Sequence, residues 1–319
     1  MAATLAGQST SPMSHAGPIV TRARTRAMSC TVTIVVTADA RSATDGAHLV
    51  RTAATRLNEI ESRWSRFLPS SEITALNEAG GDPRCVSDDT VWLIESAVRA
   101  WHATSGAFDP TLLGTIVGLG YAASRDGAAT ATSLAAGTQP QGRPAEILVD
   151  RPSGIVRLPP GTTIDPGGFG MGLAADLVVD ELIAGGAAGA LVEIGGDIRM
   201  RGLPPAGTAW PIAIADRDDV VDIGDGGIAT STPLRRTWTQ DGRRRHHLID
   251  PGTLQPSTAD IVACTVIAGT AAWAEAFTKL PFVVGVDAAI DRYESLGLAG
   301  SIATSSGTWS TSNWTEFCR

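Results

Sequence analysis

Along this chain the spacing of apolar residues switches between two and three-to-four, and each switch marks an element. Cys30–Val36 (CTVTIVV) is a β-branched run that predicts a strand. From Ala43 to Arg63, Leu49, Ala53, Leu57 and Ile60 recur at helical intervals, predicting a helix that ends near Trp64. A polar loop, FLPSSEI, leads to a short helical stretch through Leu76-Asn77. Ser87-Asp88-Asp89 supplies an N-cap for a helix over Thr90–Thr104, with Trp92, Leu93, Ala97, Val98 and Trp101 inward. Residues 122–145, rich in Ala, Thr, Gly and Gln, read as a mobile insertion. ILVDRPSGIVRL then reads as a hairpin of short strands.

The second half mixes the two periods. Leu173, Leu177, Val178 and Leu182 have helical spacing, Gly185-Gly186 breaks the run, and the strand-like ALVEI follows, closed by Gly195-Gly196-Asp197. WPIAIAD, GGIATST and IVACTVIAG predict strands, and HHLIDPGTLQP a strand that turns at Asp250-Pro251. Ala271–Lys279 predicts a helix, and SIATSSGTWSTSNW an edge strand or hairpin. Strands, helices and hairpins intermix without a regular βαβ succession. The expected class is α+β, with mixed or antiparallel sheets and packed helices.

Candidate chemistry begins at Asp165, where Gly167, Gly168, Gly170 and Gly172 follow almost at once. A glycine turn feeding a helix start offers unpaired N–H groups and a positive dipole end, which favour phosphate. Asp165 is placed to hold a hydroxyl or a cation. Glycine clusters equally serve tight turns and close helix–sheet packing. The spacing G-G-x-G-x-G is not the dinucleotide fingerprint, and the acidic residue expected further on would be Asp180 or Glu181, inside the helix. A Rossmann dehydrogenase is a poor fit.

At 319 residues the chain suits one large domain or two small ones. A net charge of -8 argues against a nucleic-acid or anionic-membrane surface. Arg22, Arg24 and Arg26 read as a solvated tail, while Arg235-Arg236 and Arg243-Arg244-Arg245 precede the HHLID segment. Four widely separated cysteines form no C-x-x-C, so neither a zinc site nor a disulfide framework is expected. No apolar run approaches a membrane span, and the polar start lacks a signal peptide. These features lead to a disordered leader over residues 1–26, a single domain over 27–319 and a cytoplasmic location.

Four ordered segments carry a more specific signal: WSRFLPSSEITALN (64–77), GAFDPTLLGTIVGLGY (106–121), the Ile164–Gly202 stretch, and GIATSTPLRRTWTQDGRRRHHLIDPGTLQPSTADIVACTVIA (227–268). From about Met28 to Gly285 the chain resembles the FAD:protein FMN transferases, the ApbE-type flavin transferases. The resemblance implies a T-fold-like architecture. It also implies an activity that splits FAD at its pyrophosphate and attaches FMN to a Ser or Thr hydroxyl of an acceptor flavoprotein. It would place Met28, Phe67, Ala107, Phe108 and Asp109 in the flavin and adenine pocket, with Asp165, Gly168, Met171 and Thr230 on the FAD as well. His247 and Asp250 match the family's His-x-x-Asp-Pro segment, nearest the chemistry. A Mg2+ would be held by the Gly168 carbonyl and by residues at Glu275 and Thr278.

Two departures bear on that metal. Met171 stands where the family has Lys or Glu, and A-E-A-F-T-K replaces A-D-A-x-x-T, which puts Lys279 at the family's Thr position. Lys279 beside Glu275 makes an i,i+4 ion pair and is hostile to a divalent cation. Arg235, Arg236, Arg244 or Lys279 would then substitute for the metal's charge. His247 is the best candidate base, titrating near neutrality, with a strand-end histidine as its plainer reading. Asp250 before Pro251 equally caps a turn, and Asp197 reads as a turn residue. Phe67 and Trp64 carry a stacking expectation. A non-catalytic FAD-binding relative is the alternative; a redox flavoenzyme is disfavoured.

Overall fold

The chain is described here by a computed structural model covering residues 17–39, 44–123, 131–214, 217 and 219–319. Eight strands form one sheet: β1 (Ile19–Ala27), β2 (Cys30–Ala38), β3 (Gly189–Ile194), β4 (Asp197–Gly202), β5 (Gly226–Ser231), β6 (Ala263–Ala268), β7 (Ala299–Ala303) and β8 (Thr308–Ser310). They lie side by side in chain order, each antiparallel to the next. The long connection from β2 to β3 carries helices α1 (Gly46–Trp64), α2 (Asp88–Ala103) and α3 (Gly170–Ala184); α4 (Ala271–Phe277) and α5 (Val286–Ser295) follow β6. The class is α+β, with a purely antiparallel main sheet.

Period-two alternation sorts the strand residues between two cores. Val32, Ile34 and Val36 of β2 and Ala190, Val192 and Ile194 of β3 pack under the helices, against Leu57 and Ile60 of α1 and Val178 and Val179 of α3. Val35, Leu191, Met200, Ile228 and Ile267 face the other way. There they meet Trp210, Ile212, Val221 and Ile223 of a small hairpin, and Trp314 near the C-terminus. Asp45 caps α1, Ser87 caps α2 and Thr270 caps α4 through side-chain oxygens. No helix among the described residues is long and apolar enough to cross a membrane.

Three expectations are corrected. Residues 1–16 lie outside the described residues, but Ile19–Ala27 is an edge strand rather than part of a leader. Arg22, Arg24 and Arg26 project outward at every second position while Ala23 and Ala27 turn toward the core, so the alternation was a strand signal. Of the expected insertion, residues 124–130 are outside the described residues, whereas the part from 131 on, though mostly exposed, is tied to the body by hydrogen bonds. Thr132 bonds Arg66, the Gln139 N–H donates to Gly161, and Gln141 donates to Asp109. In α2 the buried face is Val91, Leu93, Ile94, Ala97 and Ala100; Trp92 and Val98 are only partly buried but pack against that core, while Trp101 is half-exposed. The outer part of the Trp92 ring is covered by the guanidinium groups of Arg99 and Arg151.

Candidate active site

One end of the sheet opens into a cleft of about 380 Å³, within the range of small-molecule sites. Its floor is where chain turns meet: Met28-Ser29 between β1 and β2, Gly195 and Asp197 between β3 and β4, and Thr230–Thr232 at the end of β5. The walls come from Trp64–Phe67 after α1, Ala107–Asp109, Asp165–Met171, and Arg235, Arg236 and His247. The β1–β2 turn holds Met28 at φ 52° and Ser29 at φ 59°, both left-handed. A two-residue hairpin needs that geometry, and a side-chain-bearing residue adopts it at a cost.

Met28, Phe67, Ala107, Phe108, Asp109, Asp165, Gly168, Met171, Thr230, His247 and Glu275 all line this cleft, as does Lys279. Asp250 and Thr278 do not. The Asp250 carboxylate accepts from the Gly252 N–H at 2.8 Å and from Thr253 Oγ1 at 3.2 Å, so it closes its own Asp-Pro-Gly turn. Thr278 is fully buried, donating to the Glu275 carbonyl at 2.6 Å and sharing a hydrogen bond with Ser231 Oγ. The cause is helical phase, because one residue along a helix is about 100° around it.

Two contributors escaped the sequence reading. Arg66 lies 4.2 Å from the centre of the Phe67 ring and 5.2 Å from that of Tyr121, with its Nε 3.3 Å from Asp165 Oδ2. Tyr121 in turn stacks on Trp238, ring centres 5.2 Å apart. These groups make an aromatic wall with a cation held inside it. Trp64 lines the cleft too, but its indole N–H donates to Thr90 within the core. Arg66 and Tyr121 belong to the WSRF and GLGY segments; only folding puts their side chains together.

The glycine turn divides its work. Gly167, Gly168, Gly170 and Met171 line the cleft at the start of α3, and Asp165 Oδ1 accepts from the Gly167 N–H at 2.9 Å. Gly172 lies deeper. A side chain there would put its Cβ 2.6 Å from the backbone of Ala271 and Ala272, so this glycine lets α3 touch α4. Its N–H donates to Glu275 Oε2 at 2.9 Å, so this helix-start amide is spent inside the protein.

A family model described as the ApbE family matches residues 28–302. This chain belongs to the ApbE family. The FAD:protein FMN transferase of Vibrio cholerae is 32% identical over 221 residues, 66% of this chain and 66% of that protein. That of Klebsiella pneumoniae is 32% identical over 252 residues, 74% of this chain and 71% of it. The matched stretch thus spans about two thirds of these relatives' own length. Among solved structures, the ApbE protein of Thermotoga maritima superposes with a TM-score of 0.81 at 24% identity, covering 94% of this chain and all of that one. The apo flavinyl transferase ApbE of Pseudomonas stutzeri gives 0.80 at 24% identity, covering 96% and 98%. At that identity they establish the shared fold.

At the inner end of the cleft this ApbE chain gathers opposite charges: Asp197 and Glu275 with Arg236 and Lys279. Lys279 Nζ donates to the Glu275 carbonyl at 2.7 Å and lies 3.8 Å from its carboxylate. Burial raises Glu275 above its ordinary value, while Lys279 and the Gly172 N–H oppose the rise. Asp197 is held well above the carboxylate range by burial and by the charge of Glu275. Burial pulls Lys279 down, and the two carboxylates pull it back. Arg236 Nη2 rests 3.3 Å from Met171 Sδ and 3.9 Å from Cys30 Sγ.

These donors do not fit magnesium. Thr278 points away, Glu275 already has an ammonium beside it, and among the described residues no three His, Cys, Asp or Glu side chains converge. Divalent cations of this kind want several oxygen ligands in near-octahedral array, without a neighbouring cation.

His247 completes the site. Burial, and then the charges of Arg236 and Lys279, hold its imidazole well below 6.5, so it is neutral at neutral pH. Its Nδ1 is buried with no hydrogen-bond partner among the described residues. His246 is tied down elsewhere: its Nε2 sits 3.1 Å from the Ser257 carbonyl, and its Nδ1 accepts from the Leu248 N–H.

Proposed function

We propose that this chain transfers FMN from FAD to a Ser or Thr hydroxyl of an acceptor flavoprotein. One observation carries the reading: a neutral buried imidazole, two cationic side chains and an aromatic wall share a single cleft. The names of the related transferases support it. Phe67 and Tyr121 offer ring faces to the flavin or adenine, and Arg66 braces both through its ion pair with Asp165.

In the reaction, the acceptor hydroxyl oxygen attacks the phosphorus of the FMN half. The P–O bond to the AMP half breaks, and AMP leaves with the bridging oxygen. His247 takes the hydroxyl proton and passes it to solvent. Such a base must be unprotonated, as His247 is. The charge cluster stabilises negative charge as it moves to the leaving phosphate.

Mass spectrometry of a Thr- or Ser-bearing acceptor peptide after incubation with FAD tests this. An FMN-sized adduct together with released AMP is expected. Tight FAD binding with no adduct on any acceptor would instead identify a flavin-binding relative that lacks transferase activity.

A further inference from the structure

Resting on that flavin reading, we propose that Lys279, with Arg236 beside it, is the cation that grips the FAD pyrophosphate, so that this chain binds FAD without a divalent metal. Lys279 Cε lies 3.5 Å from the position of a Cβ on Gly168, so the side chain reaches from the end of α4 across to the glycine turn. Its ammonium has three donors. One goes to the Glu275 carbonyl, and the residue lines the cleft, where the other two can meet phosphate oxygens.

Asp197 gives the second observation. It is 6% exposed, lines the same cleft, and accepts no hydrogen bond from the described residues. Its carboxyl oxygens stay reachable from the cleft rather than sealed in the core, so a ligand can partner them. Burial, and then the charge of Glu275, raise its pKa above the ordinary carboxylate value, which lessens the repulsion it would offer a phosphate. Glu275, 2% exposed, is spent inward on the Gly172 N–H and on Lys279.

Flavin fluorescence titration of the full chain, once with EDTA and once with excess Mg2+, tests the assignment. The two FAD dissociation constants are expected to agree within about twofold. Lys279→Met keeps the aliphatic stem beside Gly168 and is expected to weaken FAD binding about tenfold or more, the size of a lost charge-assisted contact. Lys279→Arg is expected to recover most of that loss. A thermal melt of each variant separates lost binding from lost fold. FAD binding that vanishes in EDTA, or a folded Lys279→Met chain that binds as tightly as the parent, overturns the cation assignment and leaves the flavin reading standing. Failure to bind FAD under either condition overturns both.

Discussion

At the cleft, the proposed reading gives His247 and Phe67 separable jobs. His247→Gln is expected to lower the turnover number for FMN transfer by about 10²–10⁴-fold, the usual contribution of a general base, with FAD affinity little changed. Because burial depresses its protonation, the acidic limb of the rate–pH profile should fall below pH 6.5; a limb at or above that value would remove His247 as the base. Stability carries the same signature. The unfolded chain takes up the histidine proton near 6.5 and the folded chain does not. Stability is therefore complete above that pH and declines as pH falls from 6.5 to the lower folded value. His247→Gln should flatten the slope in denaturant titrations across that window. Phe67→Ala should weaken FAD binding about tenfold, the scale of one aromatic contact, read by fluorescence titration; unchanged affinity would take Phe67 out of the pocket. Ser29, left-handed at φ 59°, makes the opposite forecast. Ser29→Gly should raise stability by about 1 kcal/mol by relieving that conformation, seen as a higher melting temperature.

The glycine turn packs two helices together while lining the cleft. Gly172 brings α3 against α4, and that contact puts the Glu275 carboxylate on the helix-start N–H and Lys279 against Gly168. Asp176 of α3 returns the favour by accepting from the Ala271 and Ala272 N–H groups at 2.8 and 3.0 Å, capping α4. Gly172→Ala would drive a methyl into backbone. It should cost about 1–3 kcal/mol as an overpacked contact and weaken FAD binding as well, since the site's cation rides on α4. Urea denaturation and flavin titration of the same sample check both. At the edge of the sheet, three exposed arginines on β1 guard an open strand against pairing with other chains. Their spacing by two was readable as a strand. Composition alone had made them a tail.

At the scale of the molecule, the sheet separates stability from function. Trp210 is buried on the face away from the helices, its indole donating to the Gly202 carbonyl. Trp210→Ala should cost about 3–5 kcal/mol, as large core truncations do, and lower the melting temperature. FAD affinity well below that temperature should hold, because the cleft lies beyond the sheet's end. Loss of both together would mean the two cores are coupled. Local pattern was enough to place most strands and helices, the cap of α2 and the α+β class, because periodicity and capping act over a few neighbouring residues; most of the cleft's lining was named only through the resemblance to the ApbE family. It also set Lys279 beside Glu275, since residues four apart along a helix meet. Tertiary structure alone decided that Arg66, Phe67, Tyr121 and Trp238 form one wall and that Asp197 faces the cleft unpaired. Those outcomes depend on distances between segments far apart in the chain, and on which face of an element the packing of the whole turns inward.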